Sequence, residues 1–360
     1  MTFDPQSPYD ALPLLPPAQD VETRAVLKQC LRATRALAEL KGSGGLIPDQ
    51  AILINAIPLQ EAKLSSEIEN IVTTQDDLFN AALDETHATD PQIKEVLRYR
   101  MALRHGYEIL ADRPFSMGMI RDVCSQLMDA QVDFRGAHDR VAIGNPQTRQ
   151  ISYTPPSGGP LLRDKIDNLE HYLLSENGPD PLIRMAVAHY QFEAIHPFND
   201  GNGRSGRIMN ILYLLHAGLL HIPVLYLSRF IIQNKPDYYR LLRDVTETDA
   251  WEPWLLYMLR GVEETANWTT SRIVAIRDLF EQTVNLCRTR LPNIYSKELL
   301  EIIFQQPYCK ISFLVNAGIA KRQTASVYLQ ELEKIGVLQG EKRGRETVYK
   351  HPALLEVLTA

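Results

Sequence analysis

From Ile195 to Arg207 the chain leaves one helical stretch, turns through His196-Pro-Phe-Asn-Asp-Gly-Asn-Gly203 and enters a second helix. Any fold this chain adopts has to set two helices against that turn. Gly201 and Gly203 carry no side chains, so backbone N–H groups around Asn202 can approach an anion closely, at a helix N-terminus whose dipole favours negative charge. Arg204 and Arg207 stand at i and i+3 on the first helical turn, a spacing that predicts both reaching toward the same anion. Asp200, just ahead of this cradle, is placed to hold a divalent ion against phosphate oxygens, and Mg²⁺ suits an oxygen-only ligand set. His196 lies four residues earlier, where a neutral imidazole can take a proton from an attacking hydroxyl. Pro197 and Phe198 are expected to stiffen the loop, Phe198 by packing inward. Any one of these residues alone reads as an ordinary loop or surface residue. A base, an acid, three glycines, an asparagine and two arginines within twelve positions point to phosphate chemistry.

The remainder of the 360 residues, 45% hydrophobic, is long enough to bury a real core in two or three domains. A formal net charge of -6 supplies no global attraction for nucleic acid or an anionic membrane. Cys30, Cys124, Cys287 and Cys309 lie far apart, without a CxxC pair or a zinc-ligand spacing, which suits a reduced, cytoplasmic setting. The start of the chain has neither a basic nor an apolar leader segment, and no uncharged apolar run approaches the ~18 residues of a membrane span, so a soluble protein is expected.

Five prolines among the first seventeen residues deny that stretch a regular helix and predict an extended arm. Helical spacing then runs from about Val21 to Leu40, over Glu67 to Leu78, Ile93 to Ala111 and Ser116 to Met128, so the first third reads as all-helical. Two short β-prone runs, Val141 to Asn145 and Gln150 to Tyr153, flank a Gly-Asn-Pro turn and predict a small hairpin. Helices resume over Pro160 to Leu174, Pro181 to Ile195 and Arg204 to Leu220, the last buried through a stripe of Ile208, Ile211, Leu212 and Leu215, and another follows over Trp251 to Val262. From Ser296 the order is short helices and then two β-prone pieces around Gly340, Lys342, Arg343, Gly344 and Arg345, the order of a winged helix-turn-helix.

His196-Pro-Phe-Asn-Asp-Gly-Asn-Gly-Arg-Ser-Gly-Arg207 resembles the signature of the Fic family, HPFx[D/N]GNGRxxR, at every defined position. The resemblance implies an all-α fold, a Fic helical bundle core with a β-hairpin flap, and an enzyme that transfers AMP from ATP to a Ser, Thr or Tyr hydroxyl of a protein. It implies His196 as base, Asp200 as the Mg²⁺ ligand, and Gly201, Asn202, Gly203, Arg204, Ser205, Gly206 and Arg207 as the phosphate loop, with the two arginines on the β- and γ-phosphates. Ile151, Ser152 and Tyr153 resemble the family's flap, which aligns a target by adding it as a strand. Asn234-Lys-Pro-Asp-Tyr-Tyr239 resembles the stretch beside the nucleotide base, so Tyr238 or Tyr239 is expected either against adenine or in the core.

Ser65-Ser-Glu-Ile-Glu-Asn70 resembles the family's inhibitory motif, [S/T]xxxE[G/N], which implies Glu69 pairing with Arg207 where a γ-phosphate would sit. Ser66 and Glu69 also satisfy S-x-x-E and are open to a second reading as a capping box at a helix start. Between Lys310 and Lys350 eight Lys or Arg stand against four Glu, so Lys321-Arg-Gln-Thr324 and the wing could meet DNA. The expected organisation is an arm and inhibitory helical region over 1–90, a catalytic core over 91–262, a helical linker over 263–295 and the winged helix over 296–360. Other outcomes stay open from the sequence: a DNA-binding regulator with a nucleotide-sensing domain, removal of AMP by the same site, phosphate or phosphocholine transfer, and a homodimer.

Overall fold

The computed structural model describes residues 3–46, 50–83, 90–145, 148, 150–305, 307–343 and 346–359, and they are mostly helical. The extended arm ends at α1 (Arg24–Ser43), where Thr23 Oγ1 accepts the Val26 N–H as the cap. Leu12, Leu15 and Val21 tie the arm into the core. Then follow α2 (Ala51–Ile68), α3 (Gln75–Ala81), α4 (Pro91–Asp112) and α5 (Met117–Met128). The sequence predicts one helix over Glu67 to Leu78, and the chain instead breaks there. Asn70 takes a left-handed conformation (φ 64) and its N–H, with that of Ile71, returns to the carbonyls of Glu67 and Ser66, which closes α2. Thr74 then caps α3. Ser66 and Glu69 consequently sit at the end of a helix, so the capping-box reading does not hold.

The hairpin forms as β1 (Ile143–Asn145) and β2 (Gln150–Tyr153), antiparallel. Pro146, within the expected turn, lies outside the described residues. Behind it come α6 (Pro160–Leu174), α7 (Pro181–Ile195), α8 (Asn202–His216), α9 (Leu227–Gln233) and α10 (Lys235–Thr248). In the α8 stripe Ile208, Ile211 and Leu212 are fully buried and Leu215 packs at its edge. The next helix, α11 (Trp251–Arg290), is 40 residues long. The expected boundary at 262/263 therefore falls inside a continuous helix, because Thr265, Ala266, Thr269, Ile273, Ile276 and Phe280 carry the buried face onward.

α11 joins the helical bundle to a C-terminal unit of α12 (Lys297–Gln305), β3 (Tyr308–Lys310), α13 (Ile311–Asn316), α14 (Arg322–Lys334), β4 (Gln339–Arg343), β5 (Glu346–Lys350) and α15 (Pro352–Thr359). The sheet runs β3-β5-β4 and is antiparallel. This unit docks on α3 through Asp76, which accepts from Tyr308 Oη and pairs with Lys350 (3.1 Å) and Arg343 (3.4 Å). Gly344 and Arg345 lie outside the described residues. The four cysteines are buried and unpaired. Among the described residues, no helix is long and apolar enough to cross a membrane.

Candidate active site

α7 ends in an unusual way. His196, its C-cap, adopts a left-handed backbone (φ 51, ψ 62), a conformation rare for a residue with a side chain and sustained only when the surroundings impose it. Arg135 imposes it. Its buried guanidinium donates to the carbonyls of His196 (2.7 Å), Ile195 (3.0 Å) and Pro156 (2.9 Å), and its own N–H goes to Pro197 O (2.9 Å). A cation on the free carbonyls of a helix C-terminus also complements the dipole there. Burial, reinforced by the Arg135 charge, pushes the His196 imidazole down to about 4, with the Glu193 carbonyl, Glu69 and Asp200 pulling the other way. The ring is therefore neutral at pH 7.

The loop that follows is held by Asn202. Its Oδ1 accepts from Phe198 N and its Nδ2 donates to Phe198 O, both at 2.8 Å, so this buried side chain closes the loop and cannot also reach an anion. Its expected contact with phosphate reduces to the backbone N–H groups of the first α8 turn, which a helix start leaves without intrahelical partners. Gly201 takes φ 80 at the N-cap. Phe198 packs inward against Phe134 (5.5 Å) and Phe192, as its place in the sequence predicts.

The two arginines diverge. Arg204 is 6% exposed and pairs with Glu95 on α4 (3.0 Å), so its expected reach toward the same anion as Arg207 is not met. Arg207 turns the other way, donating to Ser65 Oγ (2.7 Å), Ser65 O (2.9 Å) and Glu69 Oε1 (2.8 Å). The 60° offset between i and i+3 is enough to place one side chain against α4 and the other against α2. Ser205 is fully buried, and Gly206 faces α7, where a Cβ would lie 2.8 Å from Glu193 Oε1. Both serve packing of α8 rather than the cavity.

Glu69 fills the space above Gly203, where any Cβ would collide with its Oε1. Burial alone would lift the Glu69 carboxyl, but Arg207, helped by Arg204 and Lys235, holds it below the usual range. Lys235 Nζ also clasps the α2 terminus, donating to Ile68 O (2.6 Å) and Asn70 Oδ1 (3.4 Å). Two turns further back, Glu61 is buried against Ser228 and Tyr99, where burial pushes its carboxyl up to about 7.

His196, Gly203, Arg207, Glu69 and Asn70 meet in one cavity of ≈ 1170 Å³, walled by Ile151, Ser152 and Tyr153 on the hairpin side and by Tyr238 and Tyr239 from α10. Tyr238 is 2% exposed and its hydroxyl bonds His189 Nε2 (2.9 Å), so it is mainly a core residue. Tyr239, 45% exposed, is the one free to meet a planar ligand. Asp200 stands exposed at the outer edge of the loop, Oδ1 accepting the Gly201 N–H (2.6 Å) and the other oxygen left without a bond among the described residues. One free carboxylate oxygen fits Mg²⁺, which takes one or two carboxylates together with phosphates and waters.

Two residues of this site escape sequence reasoning. Arg135 lies about sixty positions before the loop and nothing in its neighbourhood marks it. Glu193 does carry a signal: it is a carboxylate inside the apolar run of α7, and its Oε1 is buried in the cavity wall without a hydrogen-bond partner among the described residues. Burial pushes that carboxyl up to about 7 against the pull of Arg207.

Residues 27–108 match the Fic/DOC family N-terminal domain, 114–214 the Fic/DOC family domain, and 279–354 the C-terminal domain described as protein adenylyltransferase SoFic-like. A protein adenylyltransferase Fic from Drosophila grimshawi is 34% identical over 124 residues, 33% of this chain and 24% of that protein. Protein adenylyltransferase fic-1 from Caenorhabditis briggsae is 29% identical over 133 residues, 36% and 25% of the two chains. The matches thus span about a quarter of these relatives' length. A Fic family protein from Desulfovibrio desulfuricans superimposes with a TM-score of 0.59 at 20% identity, over 94% of this chain and 98% of that one. Fic-1 from C. elegans does so with 0.52 at 18% identity, over 71% and 74%. Loop, bundle and three successive domain matches agree, and the chain belongs to the Fic/DOC family.

Proposed function

We propose that this chain transfers AMP from ATP to a Ser, Thr or Tyr hydroxyl of a protein, and that Glu69 holds it inactive until displaced. One observation carries the reading: a neutral histidine shares a cavity with the α8 N-terminus and with an arginine occupied by an internal carboxylate. The target oxygen attacks the α-phosphorus, His196 takes the hydroxyl proton, and the bond to the β-phosphate breaks to release pyrophosphate. Backbone N–H groups from Asn202 onward receive phosphate oxygens, and Arg207 receives the terminal phosphate once Glu69 leaves. A divalent cation on Asp200 and the phosphates would neutralise charge on the leaving pyrophosphate. Pyrophosphate release in step with AMP appearing on protein tests this, and ATP hydrolysis with no adduct would contradict it.

Two further outcomes follow from how His196 is held. In a Glu69→Gly background, the acid limb of kcat/KM should lie near pH 4 instead of the ordinary histidine range. A lowered pKa keeps the base unprotonated as pH falls, and losing the Glu69 charge moves it further the same way. A limb centred near 6.5 would contradict this. Arg135→Met should lower transfer about a hundredfold by releasing the loop and, by removing a positive charge, move the same limb to higher pH. Loss of rate without that shift would leave Arg135 a merely structural role.

For the C-terminal unit we read a winged helix from its element order. Its Arg343 is engaged by Asp76 and Glu341, so DNA contact would rest on Lys321, Arg322 and Lys342, which are exposed. That weakens the reading as a DNA-binding regulator.

A further inference from the structure

The N-terminal arm does more than brace the bundle. Phe3 stacks on Tyr153, the last residue of β2 (ring centroids 5.8 Å, 21° between planes), and Tyr9 meets both rings edge-on, at 5.4 and 6.3 Å. The backbone fixes this cluster: Tyr9 N–H donates to Thr154 O (3.0 Å), Thr154 Oγ1 to Pro5 O (2.7 Å), and Ser157 N–H to the Asp10 carboxylate (2.7 Å). Tyr153 Oη in turn donates to Ala194 O (2.8 Å), two residues before His196. Phe3 and Pro5 line the same cavity as His196, Phe3 against Tyr153 of the hairpin, and both are only half-buried.

We propose that Phe3 and Pro5, with Tyr153, form an aromatic wall that receives a bulky apolar side chain of the target segment being modified. This rests on the reading above, in which the target binds the hairpin. The hairpin is a two-stranded sheet without a third strand among the described residues, so an extended segment can add to it through backbone hydrogen bonds. In an extended strand alternate side chains face the same side. When one residue presents its hydroxyl to His196, the residue two positions away faces the same wall, and Phe3 is what it meets. Backbone pairing carries little sequence information, so the arm supplies the selectivity that the hairpin lacks.

The test uses the full-length Glu69→Gly protein with α-labelled ATP, Mg²⁺ and a randomised peptide library with a fixed central Ser, Thr or Tyr. Labelled peptides should be enriched about fivefold in Leu, Ile, Met or Phe two residues from the hydroxyl, on one side of it, as expected for partial burial of one apolar side chain. Glu69→Gly/Phe3→Ala should lose most of that preference and Glu69→Gly/Phe3→Leu should keep a good part of it. Each preference is a ratio within one enzyme, so changes in overall rate do not enter. An unchanged preference in Phe3→Ala overturns the proposal, as does enzyme that labels itself while showing no apolar preference among peptides. Absence of label on both enzyme and peptides would overturn AMP transfer itself, and this inference with it.

Discussion

Glu69→Gly should raise AMP transfer roughly ten- to a hundredfold over the wild type, the scale of losing one partner from a largely buried ion pair, discounted because the Glu69 side chain is about a third exposed. The substitution frees the Arg207 guanidinium while leaving its two bonds to Ser65, so the arginine stays aimed at the cavity. It also opens the space above Gly203, where only a residue without a side chain lets Glu69 in. A second signature separates release of a brake from general loosening. A buried, unpaired arginine destabilises the fold, so the variant's Tm should fall without nucleotide and recover on adding ATP, by more than ATP shifts the wild type. Equal activity in variant and wild type would contradict the account.

His196→Ala, made in the Glu69→Gly protein, should lower transfer by about 10²–10⁴, the usual contribution of a positioned general base, with ATP affinity retained. Alanine at φ 51 is strained, so some stability will be lost for reasons unrelated to chemistry. His196→Asn removes that ambiguity, since asparagine tolerates the left-handed region and cannot serve as the base. Both variants should be equally inactive, the asparagine form melting closer to the parent. An asparagine variant with near-parental activity would remove His196 from the mechanism.

Much of this site was legible in the sequence because its chemistry is contiguous. His196 through Arg207 carry base, turn and helix start within one short loop, and local geometry fixes most of their relations. What sequence did not reveal is the direction in which each side chain points. Arg204 and Arg207 share a helical turn, yet Glu95 on α4 draws one and Ser65 and Glu69 on α2 draw the other. Asn202 looks like an anion ligand and is consumed in bonding Phe198. Arg135 was invisible because its partners are backbone carbonyls, which any sequence supplies.

The helices show the same division. Pro160–Leu174 and Pro181–Ile195 have the bounds that their proline starts predict. The stretch from Glu67 to Leu78 misled because a left-handed Asn70 ends a helix as firmly as glycine does, and α11 ran on because no breaker follows Gly261. Asn70 also accounts physically for the last position of the motif that Ser65 to Asn70 resembles. That position must take a positive φ, which asparagine and glycine do at least cost.

The most direct test of the central claim is to incubate wild type, Glu69→Gly and His196→Ala with Mg²⁺ and ATP labelled either at the α- or at the γ-phosphate, and to follow label onto protein. The account predicts label from the α position alone, stronger in Glu69→Gly than in wild type and absent from His196→Ala. Label from the γ position would make the reaction a phosphorylation, and no label from either, with ATP still bound, would contradict transfer altogether.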